Sequence, residues 1–585
     1  MENKSPFEGM MDLMSQYGQA WMDNLGQPTQ STLMKTQSED FTKWANSMVQ
    51  NPTNMVEQQM NWWTQQVNLL NDCILGNQAQ TKETDRRFRD PSWNDTPLYR
   101  YIKESYKLAC DNIQQSVENS EGLDDETKTR LSFFTRQYLN AMSPSNFVAT
   151  NPEILKLTMD SNGENLIQGM KQFRQDLEQS ADILNIRMTD KNQFTLGENI
   201  ASTPGKIVFQ NEMFELIQYK PTTKQVYKRP TLIVPPFVNK YYIMDVNPET
   251  SYVKWLVSQG HTVFMISWVN PNAQMRDVDF GNYVTQGVLP ALDAIENVTG
   301  EREVNGIGYC IGGTTLVAAM AYLSGKRRKQ RIKSVTLLTT ILDFTKPGEL
   351  GVFINDPIIS SIEAQNNQRG YMDGRQMAVS FSLLRENSLY WNYYISNYLK
   401  GESPMAFDLL YWNCDNTNVT AATHNQLLRQ CYLENRLAKG ELVIDGVTID
   451  LGKVKSPAYF LSAIDDHIAL WDGNFEGTKL LGGDNKFVLT ESGHIAGPMN
   501  HADSNKYGFW TNDNNDQAPS QWLASADKHQ GSWWAHWQTW VDERNFSEMI
   551  EARELDGELD APGEYVKQRI QDVIAQEVEL EKESA

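Results

Sequence analysis

Two rhythms divide the chain. Up to about residue 195 the apolar residues recur at helical spacing. Between Phe7 and Leu25, the residues Met10, Leu13, Met14, Tyr17, Trp21 and Leu25 stand mostly three and four apart. That spacing predicts an amphipathic helix with a Met-rich, aromatic face. Such a face packs against the rest of the chain or meets a partner, since methionine adapts to varied surfaces. Residues 26–82 are rich in Gln, Asn, Ser and Thr, with an aromatic cluster at Met60, Trp62 and Trp63. From Asp85 the pattern tightens, and RLSFFTRQYLNAMSPSNF closes on a Ser-Pro-Ser-Asn break at 143–146.

After about residue 200, short runs rich in Val, Ile and Phe alternate with helical stretches. The runs are TLIVPPF (231–237), HTVFMISW (261–268), VNGIGYC (304–310), SVTLLTTIL (334–342), PAYFLSAID (457–465) and KFVLTES (486–492). Nearly continuous apolar strands separated by helices predict a parallel sheet covered on both faces. An antiparallel hairpin around 207–219 precedes it. Between 342 and 457 no clear strand occurs, and loops of that length are uncommon without structure of their own. The interval is read as a helical cap, about 343–450, over the C-terminal edge of the sheet. The resulting division is a helical domain at 1–195, an α/β domain with its cap at 196–545, and an acidic tail at 546–585. The tail is expected to fray or to form a solvated helix.

Length agrees, since 585 residues exceed one domain of roughly 100–200. The formal net charge of −22 repels nucleic acid, and no basic stripe offsets it. The five cysteines, Cys73, Cys110, Cys310, Cys414 and Cys431, show neither CxxC pairing nor zinc-type spacing with histidine. They suit a reducing, cytoplasmic compartment better than a disulfide framework. MENKSPFEGMM lacks the basic and apolar regions of a signal peptide. No apolar run reaches the roughly 18 residues of a membrane span. Neither a metal nor a redox cofactor is suggested.

The chemistry gathers at Gly308-Tyr309-Cys310-Ile311-Gly312-Gly313, which follows a predicted strand and opens a helix running to about Leu323. This is the nucleophile-elbow context of the α/β-hydrolase fold, with Cys in place of Ser. Small residues flank the sharp turn because its neighbours are crowded. The helix N-terminus favours a thiolate there, and the Ile311 N–H would face an oxyanion. A second donor should come from the loop after TLIVPPF. Pro235 and Pro236 have no N–H, which leaves Phe237 or Val238, with Val238 preferred. The fold requires the order nucleophile, acid, histidine. PAYFLSAID ends at Asp465-Asp466-His467, and KFVLTES runs into Gly493-His494-Ile495. His494 fits the base. Asp465 and Asp466 compete for the acid, and His467 beside them fits a bracing role. The aromatic stretch Tyr390, Trp391, Tyr393, Tyr394 and Tyr398 either lines the site or forms a packed helical face. The basic run Lys326-Arg327-Arg328-Lys329 complements a helix C-terminus.

GYCIGG, IVPPFVNKYYIMD, FDLLYWNCDNTN, DDHIALW and ESGHIAGPMN together resemble the class I polyhydroxyalkanoate (PHA) synthases. The likeness runs from DRRF near residue 85 to about 540, includes GSWW, and is nearest in character to the Aeromonas-type members. It implies an α/β-hydrolase domain with a mobile cap behind a helical N-terminal domain. It implies an acyltransferase that polymerises (R)-3-hydroxyacyl-CoA, releasing coenzyme A. The family nucleophile falls on Cys310, its acid on Asp466 (the Asp before His-Ile), and its histidine on His494. A homodimer is also implied. Because the product is a water-insoluble polymer, the enzyme is expected to end up on polyester granules, with coat proteins as partners.

Acyl transfer to a hydroxyl gives these residues a reason. A Cys exchanges one thioester for another and keeps the acyl group activated, whereas a Ser would form a less reactive oxygen ester. His494 takes the thiol proton, and Asp466 orients it or assists the incoming hydroxyl. The competing readings are a thiol hydrolase or depolymerase on the same fold, and a non-catalytic granule protein. Substrates expected are 3-hydroxybutyryl-CoA and its somewhat longer relative 3-hydroxyhexanoyl-CoA.

Overall fold

The computed structural model describes residues 27–50, 52–75, 83–179, 186–545 and 548–584. The predicted helix Phe7–Leu25 lies outside them. The chain divides into two compact units, residues 1–190 with 378–406, and residues 191–377 with 407–585.

The first unit is helical, with long helices at Gln27–Gln50, Pro52–Leu75, Pro97–Glu118, Asp125–Ala141 and Glu164–Gln179. Local chemistry sets its helix starts. Asp124 accepts from the Thr127 N–H, and Asn151 accepts from Glu153 and Ile154. Pro97 and Pro152 occupy first-turn positions, where a missing N–H costs nothing. Ile154, Ile186, Trp391, Tyr394, Tyr398 and Leu399 form one of its buried clusters, with Phe173 and Val148 packed around them. The aromatic stretch is therefore a packed helical face. Gly169 lies against the Tyr398 backbone, where a side chain would collide, and the Tyr398 hydroxyl donates to the buried Asp176 at 2.8 Å. The single cap read at 343–450 is thus divided: residues 378–406 cluster with the helices, and the remainder stays with the sheet. On Pro52–Leu75, the residues Val56, Met60, Trp63, Val67, Leu70 and Ile74 are all exposed. Their alternating four- and three-residue spacing forms one continuous apolar row.

The second unit is built on eleven strands: β1 (Gly205–Gln210), β2 (Phe214–Tyr219), β3 (Thr231–Val234), β4 (Val263–Trp268), β5 (Val304–Tyr309), β6 (Ile332–Leu338), β7 (Ala458–Ala463), β8 (Asn485–Thr490), β9 (Phe509–Thr511), β10 (Asp527–His529) and β11 (Leu559–Asp560). Their spatial order is β10-β9-β8-β7-β6-β5-β3-β4-β2-β1-β11. The six strands from β4 to β8 in this order run parallel, and antiparallel strands complete both edges. This is the α/β-hydrolase arrangement expected from the apolar runs, with the hairpin β1–β2 in place. One face packs on the helix that follows β5, buried from Gly312 to Leu323. The other packs on Tyr252, Trp533, Trp534, Trp537 and Trp540.

The stretch read as an acidic tail is woven into this unit. Met549–Glu551 pairs with Gln225–Tyr227, β11 extends the sheet edge on β1, and Val566, Ile570 and Val573 are buried. Charge alone pointed to a solvated segment, but these few apolar residues and short pairings suffice to dock it.

Placing Tyr398 in the helical core yields a prediction. Tyr398→Ala should lower the stability of the helical unit by roughly 3–5 kcal/mol, measured by chemical denaturation, while the thiol chemistry of Cys310 in folded protein stays unchanged. A selective change in that chemistry at unaltered stability would return the stretch to the site.

Candidate active site

β5 ends in a turn at Cys310, which adopts φ 52° and ψ −129°. Few non-glycine residues occupy this region, and each such residue costs about 1–3 kcal/mol. Three glycines make the turn feasible. A side chain on Gly308 would strike the Gly313 backbone, and one on Gly313 would strike Thr340. One on Gly312 would strike the Val234 and Pro235 carbonyls. The last contact brings the N-terminus of helix Ile311–Gly325 against the loop after β3. Cys310 is half-buried at that N-terminus, and its own N–H donates to Leu338 O at 2.9 Å.

The loop after β3 carries the proposed second oxyanion donor. Trp268 Nε1 donates to Pro235 O at 2.9 Å. Phe237 is buried and stacks on Tyr283 at 4.1 Å between ring centres, whereas Val238 is only partly buried. Ile311 and Val238 thus belong to two backbone segments that meet at Gly312.

The acid and the histidine arrive from β7 and β8. His494 Nδ1 lies 2.7 Å from Asp466 Oδ2. The other oxygen, Oδ1, accepts from the Ile468 and Ala469 N–H groups at 2.9 Å each. Asp466 is 4% exposed, while Asp465 is exposed. The Asp465 N–H joins the two loops by donating to Ser492 O. His467 lies against Gly348 through its carbonyl. Burial pulls the His494 pKa down, but the charges of Asp466 and Cys310, with hydrogen bonds to both, raise it well above the usual histidine range. The pocket therefore favours an imidazolium beside the sulfur.

Two further groups hold His494 from behind. Spacing alone did not single them out. The Tyr309 hydroxyl donates to His494 O at 3.1 Å, and its ring lies 5.6 Å from the imidazole. Trp533 and Trp534 Nε1 both donate to Pro498 O, at 3.1 and 2.9 Å, and Ser532 Oγ donates to Asn500 O at 2.5 Å. GSWW thus anchors the loop that carries the histidine. Its signal in the sequence was two adjacent tryptophans, whose N–H groups need partners when buried. From the cap side, Tyr432 lies within electrostatic reach of Cys310 and packs on Phe344. Among the described residues, no three His, Cys, Asp or Glu side chains converge as ligands for a metal ion.

Residues 84–256 match the model of the poly-beta-hydroxybutyrate polymerase (PhaC) N-terminus, and residues 244–498 match the alpha/beta hydrolase fold. The poly(3-hydroxyalkanoate) polymerase subunit PhaC of Rhizobium meliloti (strain 1021) is 42% identical over 554 residues, 94% of this chain and 90% of that protein. The poly(3-hydroxyalkanoate) polymerase of Methylorubrum extorquens is 44% identical over 513 residues, 87% and 84% of the two chains. The PhaC subunit of Cupriavidus necator (strain ATCC 17699 / DSM 428 / KCTC 22496 / NCIMB 10442 / H16 / Stanier 337) is 41% identical over 463 residues, 78% of each.

The raised His494 pKa carries a sign. The folded chain binds this proton more tightly than the unfolded chain. The pair therefore contributes its stability in full below about pH 6.5 and loses it as pH rises through the folded value. Asp466→Asn removes the largest charge raising that pKa and leaves burial to dominate. The His494 titration, followed by NMR, should then move down by at least ~1 pH unit; an unmoved titration would discard Asp466 as the partner that matters.

Proposed function

Because the chain belongs to the poly-beta-hydroxybutyrate polymerase (PhaC) family, we propose that it builds its polyester through a covalent thioester on Cys310. It is an acyltransferase that polymerises hydroxyacyl-CoA into poly(3-hydroxyalkanoate) on an α/β-hydrolase fold. The observation that carries the covalent reading is the buried line Asp466–His494 beside a cysteine at the strand-to-helix turn.

In this reading the Cys310 sulfur, its proton held by His494, attacks the thioester carbonyl of an (R)-3-hydroxyacyl-CoA. The oxyanion is met by the Ile311 and Val238 N–H groups. The C–S bond to coenzyme A breaks, His494 returns the proton to the leaving thiolate, and the acyl group remains on Cys310. The hydroxyl of another unit or of the chain then attacks that thioester. Its proton passes to His494, assisted by Asp466, and an ester forms as the Cys310 sulfur leaves. Short units, 3-hydroxybutyryl-CoA first and 3-hydroxyhexanoyl-CoA next, are the proposed substrates.

An enzyme with an insoluble product works at that product's surface, so we place it on polyester granules in the cytoplasm, as a homodimer alongside coat proteins. The exposed row on Pro52–Leu75 supports the helical unit as the contact. No helix among the described residues is long and apolar enough to cross a membrane. Replacing Val56, Trp63 and Leu70 together by Ser should reduce co-sedimentation with granules while thiol release per molecule holds; undiminished binding would move the contact elsewhere.

The direct test follows free thiol and acyl fate with purified protein and (R)-3-hydroxybutyryl-CoA. Thiol release with sedimenting polyester is expected, both abolished in Cys310→Ala, and His494→Ala should slow release by roughly 10²–10⁴-fold. Equal activity of Cys310→Ala would refute the covalent reading. Release of free hydroxy acid alone would make the chain a hydrolase.

A further inference from the structure

Residues 559–577 cross the sheet unit and bond to several backbone segments, the loop after β3 among them. Past β11, the Glu564 and Tyr565 N–H groups donate to the buried Glu215 carboxylate at 3.0 Å each. The Tyr565 hydroxyl donates to Asn211 O at 2.7 Å. The chain then passes over the loop that follows β3. Buried Lys240, two residues beyond Val238, donates from Nζ to Tyr565 O at 3.3 Å and to Gln568 O at 2.8 Å. Glu577 accepts from the Ala273 N–H at 2.8 Å and the Tyr371 hydroxyl at 3.0 Å.

Arg569 is the centre of this crossing. Its Nη1 pairs with Asp415 at 2.6 Å and its Nη2 donates to the Tyr411 hydroxyl at 2.5 Å. The guanidinium also stands 5.4 Å from the centre of the Tyr411 ring. Asp415 is 3% exposed, and its second oxygen accepts from the fully buried Tyr242 hydroxyl at 2.7 Å. Segment 411–416 touches the donor loop twice more. Trp412 Nε1 donates to Lys240 O at 2.7 Å, and Asn239 bridges Asn416.

We propose that Arg569 is a positioning residue: by clamping Asp415 and Tyr411 it locks segment 411–416 onto residues 239–242 and thereby fixes the backbone donor at Val238. The inference rests on the reading of Cys310 and Val238 given above. A planar guanidinium holds a carboxylate and a phenol in one rigid fork, whereas a lysine would bring only a point charge on a flexible stem. Without it, a buried carboxylate loses its closest cation and the segment it belongs to must rearrange. A displacement of about 1 Å at a reacting group is enough to cost ~10²-fold in rate. Burial, with a smaller contribution from Arg569, pulls the Lys240 ammonium down to about 8 against the opposing charges of Asp415 and Asp572.

The test uses the full chain with Arg569→Ala, Arg569→Lys and Tyr411→Phe. Thiol release from (R)-3-hydroxybutyryl-CoA gives kcat and KM. Alkylation of Cys310 by iodoacetamide, followed on its peptide by mass spectrometry, reports sulfur and histidine without any oxyanion. Arg569→Ala should lower kcat ~10-fold or more, short of the roughly 10²–10³ for complete loss of a donor. KM should stay within about twofold, and alkylation should proceed at the unmodified rate. Arg569→Lys should recover only part of kcat. An unchanged kcat overturns the proposal, and so does a parallel loss of kcat and alkylation. Should Arg569→Ala fail to fold, Tyr411→Phe decides by the same criteria, since it removes one oxygen and keeps the packing. Absence of Cys310-dependent thiol release in the unmodified chain would instead overturn the active-site reading beneath it.

Discussion

Cys310 at φ 52° is held against its own backbone preference, and the contacts that hold it leave no room for side chains at Gly308, Gly312 and Gly313. That crowding is the constraint from which the rest follows. It presses the start of a buried helix against the end of β3 and so makes neighbours of Cys310 and the Val238 loop. It also requires flanking strands stiff enough to resist relaxation. β5 has a parallel partner on each side, which supplies that stiffness.

The histidine side is suspended differently. Asp466 has three partners for its two oxygens, so a buried carboxylate remains satisfied. His494 gains its orientation from Asp466 at one nitrogen and from Tyr309 at its carbonyl. Trp533 and Trp534 share Pro498 O farther along the loop. The electrostatics therefore rest on packing: the imidazolium is favoured only while these backbone anchors keep the ring between carboxylate and sulfur.

Much of this was legible in the chain itself. The parallel strands announced themselves because both of their faces are buried, giving unbroken apolar runs. Cys310 and His494 were legible because fold order restricts where a nucleophile and base can fall. Asp465 and Asp466 were not separable by spacing, since burial in a loop is set by the packing around it; one is exposed and the other buried. The rings from Tyr390 to Tyr398 showed a face without showing its partner, because periodicity describes one surface of a contact. The stretch beyond 546 misled for a related reason. Strands of two or three residues carry no periodicity, and its docking depends on partners such as Lys240 and Glu215 hundreds of residues earlier.

The helical unit is discontinuous in sequence, and this has a consequence during synthesis. Its last packing partners, Trp391, Tyr394, Tyr398 and Leu399, leave the ribosome long after Ile154 and Phe173. At roughly 5–20 residues per second, the interval between them is on the order of 10–50 s. The nascent helices must wait through that interval with an apolar face uncovered, while β1 to β6 are being made. The N-terminal half of the chain thus cannot mature first. The two units finish in an interleaved order.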